Sequence, residues 1–120
     1  MITAIGKELR KLRIDHNERL LDMAERLGKS ASFLSAIEVG KKNPPSGFEE
    51  AVAQVYRLSG AIADRLRAAA DQSRHAFTLE PKSPFGRETA GLLARRIDGL
   101  SESQLKEIRR IVSSDKGGGG

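Results

Sequence analysis

Lys29, Ser30, Lys41, Lys42 and Asn43 bracket a short segment whose neutral polar side chains are two serines, Ser32 and Ser35. Lysine ammoniums, hydroxyls and an amide suit a polyanion: cations meet phosphate oxygens, while small hydroxyls donate to or accept from base edges. Residues 20–27 repeat apolar side chains at Leu20, Met23, Ala24 and Leu27, which is one buried stripe of a helix. Gly28 supplies a stop, and Ser30 is placed to cap a second helix. That second helix buries only Leu34 and Ile37. Its other side carries Ala31, Ser32, Ser35 and Ala36 and is stripped of bulk. A helix of this shape, with lysines just past its end, fits a DNA major groove.

Other chemistries have little to work with. The chain contains no cysteine, hence neither a disulfide framework nor a thiolate zinc site. His16 and His75 both fall near predicted helix ends, where an exposed or dipole-stabilised imidazole is common. No Ser–His–acid arrangement, Gly-x-Ser-x-Gly elbow or glycine-rich phosphate loop is present. Five aromatics, mostly within apolar stripes, are a poor supply for stacking single-stranded bases. The expectation is a non-enzyme without cofactor or metal.

Charge agrees with a polyanion partner without requiring one. The 120 residues hold 21 basic and 16 acidic side chains, a formal +5, and residues 1–45 contribute nine basic against six acidic. No apolar run approaches the ~20 residues that cross a membrane, and the first residues lack a signal-peptide pattern. The expected compartment is the cytoplasm.

The elements around the central pair read as helices throughout. Helix 1 spans roughly Ala4–Asp15, burying Ile5, Leu9 and Leu12, with Asn17 as a left-handed terminator. Pro44-Pro45 blocks any continuation of helix 3. Ser46 with Glu49 predicts a capping box opening helix 4, whose apolar side is Phe48, Val52, Val55 and Tyr56. Ser59 predicts the cap of helix 5, which buries Ile62, Leu66 and Ala69 and runs out near His75. Thr78–Phe85 reads as an extended linker, followed by a helix near Arg87–Ile97 and another capped by Ser101 with Gln104. Phe33 falls beside the buried stripe, at the core edge or at the wall of the groove.

Taken together, Leu9, Leu12, Arg13, Met23-Ala24, Leu27-Gly28, Ser30, Leu34-Ser35, Ile37-Glu38, Gly40-Lys41 and Asn43-Pro44 resemble the Xre/Cro/lambda-repressor-like helix-turn-helix family over residues 5–45. The resemblance implies an all-α, lambda-repressor-like DNA-binding domain of about five helices, commonly a dimer on an inverted repeat. It also implies that Ala31, Ser32, Ser35 and Ala36 face the groove. Arg10, Lys29, Lys41 and Lys42 would meet phosphates, with Ser30 and Asn43 as neutral donors. Arg13 and Glu38 match a family pair tying helix 3 to helix 1. The chain departs from the pattern at Arg19 and Leu20, where the family places Ser/Thr and then Gln. The missing cap is expected to weaken the start of helix 2 by about 0.5–2 kcal/mol, while Arg19 replaces a phosphate-contacting amide with a charge. No side chain on helix 3 offers a bidentate base contact, so specificity would rest on Lys42 or Asn43, on dimer spacing or on DNA shape.

The expected organisation is a DNA-binding domain over 1–77, a linker over 78–86, a two-helix hairpin over 87–114 and a disordered tail over 115–120. Such a hairpin, with Leu92, Leu93, Ile97, Leu105, Ile108, Ile111 and Val112 in its stripes, is too small to be stable alone. It either completes the monomer core or pairs with a second copy; the homodimer is the reading adopted, since two recognition helices must sit one DNA turn apart. The expected function is a sequence-specific regulator, a repressor, of bacterial or phage origin. The ARRIDGLSESQLKEI ending also resembles HigA-type antitoxins and prophage regulators, implying as the alternative a chain that neutralises a small ribonuclease toxin.

Overall fold

Helical stripes separated by glycine, proline and capping residues fold into seven α-helices in the computed structural model, which describes residues 1–114. They are α1 Ala4–Asp15, α2 Leu20–Leu27, α3 Ala31–Glu38, α4 Phe48–Val55, α5 Gly60–Ser73, α6 Pro84–Arg96 and α7 Glu102–Ser113, with a 3-10 turn at Ile97–Gly99. No strand occurs among the described residues. The predicted tail at 115–120 lies outside them. The chain divides into two compact units, Met1–Thr78 and the residues from Leu79 onward.

In the first unit, α1 packs on α3 and α5, α2 on α3 and α4, and α4 on α5. Ile5, Leu9, Met23, Leu34, Ile37, Val52 and Leu66 are sealed from solvent at the centre. Each such aliphatic side chain contributes roughly 1.5–3 kcal/mol relative to exposure. The α1 boundaries coincide with those read from the sequence, and Asn17 ends it at a φ of 53°. Thr3 starts it: its Oγ1 accepts from the Gly6 N–H at 3.0 Å. The same residue reaches across to α3, donating its backbone N–H to the Glu38 carbonyl at 2.9 Å. Gly6 is required at this crossing, because a Cβ there would lie 2.5 Å from the Glu38 carbonyl oxygen.

Several sequence expectations are corrected here. The Ser46–Glu49 capping box does not form; α4 begins at Phe48 with Gly47 as its cap at a φ of 82°. Glu49 is drawn instead to Arg74 beyond the end of α5, and that guanidinium holds the carboxyl below the usual carboxylate range. Ser59 sits at the predicted cap of α5, but its side chain makes no capping hydrogen bond. Ile62 is 51% exposed, and the buried face of α5 is Ala63, Leu66, Ala69 and Ala70. Alanines let α5 approach α1 closely, and one residue of offset turns Ile62 about 100° toward the rim. Val55 likewise lies at the margin of α4 rather than in its core. At α2, Arg19 provides no side-chain cap, yet the Asp22 carboxylate accepts the Arg19 backbone N–H at 2.9 Å. Half of a capping box therefore offsets part of the expected weakness.

In the second unit, α6 opens at Pro84 rather than near Arg87. Ser83 accepts the Gly86 N–H at 2.9 Å, and proline suits the first turn because its missing N–H would have no helical partner. The Ser101–Gln104 capping box forms as read from the sequence. No side chain described in this unit is buried within the chain.

Candidate nucleic-acid interface

The α2–α3 turn is built by Gly28, in the left-handed region at a φ of 69°, with the Lys29 N–H bonded to the Ala24 carbonyl at 2.9 Å. Ser30 then caps α3 by accepting the Phe33 N–H at 3.0 Å, leaving its hydroxyl proton free to donate outward. Leu34 and Ile37 anchor the inner side of α3 in the core. Its outer side forms a shallow concavity lined by Leu20, Ala31, Ser32, Ser35, Ala36, Val39 and Lys41. All four small residues read from the sequence come together there. Sequence reasoning missed Leu20 and Val39 as walls: Leu20 was assigned to the buried stripe of α2, and it both packs on the core and borders the concavity.

The cations are less uniform than their sequence positions suggested. At the end of α3, the Lys41 and Lys42 N–H groups both donate to the Ala36 carbonyl, at 2.9 and 3.2 Å, which folds this turn back against the helix. Lys41 borders the concavity, and Asn43, two residues further on, is exposed. Lys29 and Lys42 lie over the Phe33 ring, with Nζ 5.3 and 5.5 Å from its centroid. Arg19 is 89% exposed and pairs only loosely with Asp22 at 3.7 Å. Arg10 lies 3.6 Å from the Glu38 carboxylate, so part of its charge is engaged within the protein.

Glu38 is 3% exposed and serves the fold. Arg13 donates to both of its carboxylate oxygens, joining α1 to the end of α3 as the motif implied. A second tie, 30 residues distant in sequence, had no sequence signal. Arg74 donates through Nε to the Pro44 carbonyl at 2.9 Å, through Nη2 to the Pro45 carbonyl at 2.7 Å, and to both Glu49 oxygens. Planar guanidinium geometry suits this multiple contact. It holds the two prolines that directly follow the Lys41–Asn43 turn. On the opposite flank, Tyr56 donates to Glu18 at 2.5 Å and Arg26 donates to the other oxygen at 2.7 Å. Burial, reinforced by that hydrogen bond, pushes the Tyr56 phenol up to about 12. His16 stands edge-on to the Tyr56 ring at 5.0 Å, and its Nδ1 lies 3.0 Å from the Leu12 carbonyl. Both imidazole contacts are structural.

A helix-turn-helix domain family model matches residues 4–66, just over half of the chain. The chain therefore belongs to the helix-turn-helix family, a class of DNA-binding domain in which the second helix of the pair enters the major groove. No curated protein and no solved structure gives a significant match to it. The matched residues include α2, the turn at Gly28 and α3. No helix among the described residues is long and apolar enough to cross a membrane.

Lys42→Ala is expected to weaken duplex binding and to flatten its dependence on salt by about 0.9 in log–log slope, the release of one counterion. Titrations between low and moderate ionic strength read this directly. An unchanged slope would place Lys42 in solvent rather than on a phosphate.

Proposed function

We propose that this chain is a sequence-specific transcriptional regulator, a repressor, that occupies an inverted-repeat operator as a homodimer. The observation carrying the reading is the outer side of α3: a concavity floored by four small residues and bordered by Leu20, Val39 and Lys41, in a helix-turn-helix frame. Ser32 and Ser35 would meet base edges and Ala36 a thymine methyl. Lys29, Lys41, Lys42 and Arg19, with Ser30 and Asn43, would grip the backbone, Arg10 contributing what charge Glu38 leaves. Such a protein works where its DNA lies, in a bacterial or phage-infected cytoplasm. Selection of bound duplexes from a random pool tests the proposal; the expected product is a symmetric site with half-sites about one turn, ~34 Å, apart. Recovery of no preferred duplex would overturn it.

The second unit supports the dimer. Leu92, Ile97, Leu105, Ile111 and Val112 are exposed, Val112 at 78%, while Leu93 and Ile108 are half-buried. Apolar stripes left open in this way call for a partner. A chain ending at Lys82 should sediment as a monomer, whereas the full chain should sediment as a dimer. A dimer surviving the truncation would move the interface into the first unit. The same open stripes favour one other reading, in which they take a small ribonuclease toxin and the chain is an antitoxin regulating its own operon. Co-purification with a neighbouring gene product separates the two, since a self-sufficient regulator binds its operator at full strength alone.

A further inference from the structure

Phe33 has no place in the inner stripe of α3, where Leu34 and Ile37 already fill the core contact. It lies half-buried at the core edge. Behind it, the Phe48 ring is buried and stands 6.2 Å away at 57°. Its backbone is held by the cap at Ser30. Two ammoniums from opposite ends of α3 lie over the ring: Lys29, which precedes the helix, 5.3 Å from the centroid, and Lys42, which follows it, at 5.5 Å. Both distances lie within the range where the negative face of an aromatic ring attracts a cation. Long lysine side chains otherwise sample many rotamers, and ordering them is part of the cost of binding.

We infer that Phe33 is a positioning residue, whose ring holds Lys29 and Lys42 together on one flank of α3 as a paired contact for neighbouring phosphates of a single DNA strand. The inference rests on the DNA-binding reading above and adds how its backbone contacts are ordered. An ammonium has three donors, so one side can face the ring while the others meet phosphate oxygens. The ring gathers charge from residues 13 positions apart and reduces the freedom they lose on docking. Phe33 itself reads no base.

The test compares wild type, Phe33→Leu and Phe33→Tyr, each in the native background and in a Lys29→Gln/Lys42→Gln background, on the duplex recovered by selection. Leucine keeps an apolar core edge without a ring; tyrosine keeps the ring. In the native background Phe33→Leu should lower affinity about tenfold at fixed salt, and Phe33→Tyr less than twofold. In the double-glutamine background Phe33→Leu should cost less than twofold, because the residues it acts through are gone. Tenfold loss in both backgrounds, or no loss in either, would overturn the assignment. Side-chain NMR of the free protein provides a reading independent of DNA and of variant folding. The Lys29 and Lys42 ε-methylene protons should be shifted upfield by the ring in wild type, and their absence from such positions would also overturn it. Upfield protons in a wild type that binds no duplex would sink the DNA-binding reading, leaving the ring–lysine geometry intact and without its phosphate role.

Discussion

Ser32→Glu is expected to lower duplex affinity more than 100-fold while circular dichroism remains that of the native helical protein. Ser32 is exposed on the outer side of α3 and borders the concavity. A glutamate there would bring bulk and a negative charge into a groove walled by phosphates, and the charge would be desolvated without a cationic partner. The free protein should not suffer. Ser32 is the second residue of α3 after the Ser30 cap, where a carboxylate interacts favourably with the helix N-terminus. The opposed signs make the variant informative: the isolated fold is unharmed or slightly steadied, and the complex is lost. Ala36→Glu should act similarly, one turn further along. Fluorescence anisotropy with the selected duplex measures the loss, and retained affinity would remove α3 from the interface.

Arg13→Met should lower stability by about 3 kcal/mol, because it strands the carboxylate of Glu38 in the interior. That carboxylate is 3% exposed and accepts from Arg13 at both oxygens. Arg10 remains 3.6 Å away, but its side chain is 54% exposed and it cannot replace the bidentate contact. For a unit of this size the melting temperature should fall by at least about 10 °C. Adding Glu38→Gln to Arg13→Met should recover much of the loss, since a neutral amide is less costly to bury than an unpaired charge. A fall below about 1 kcal/mol would mean that Arg10 or water satisfies Glu38. The variant also bears on function. Glu38 ends α3, and its backbone carbonyl receives Thr3 at the start of α1, so a loosened Glu38 frees α3 to shift.

How much of this was legible in the chain depends on how local each interaction is. Gly28, Ser30, Asn17 and the Ser101–Gln104 box act within one helical turn, and each is found where the residue order put it. Leu9, Leu34 and Ile37 follow from helical periodicity, and the Arg13–Glu38 pair from the family motif. The Ser46–Glu49 box had equally good local credentials and still did not form, because Arg74 took the carboxylate from outside the window. Ile62 had the right spacing for burial, but the close α1–α5 approach favoured alanines.

Residue order thus dictated the helices, their stops and the bare outer side of α3, since these depend on neighbours three or four positions apart. Packing alone arranged what surrounds that side. Arg74 on the two proline carbonyls, Leu20 beside α3 and Lys42 over Phe33 all join residues too far apart in the chain for one helical turn to bring together. No period or spacing encodes such meetings, because the free energy that selects them comes from the closed core and the satisfaction of buried polar groups within it.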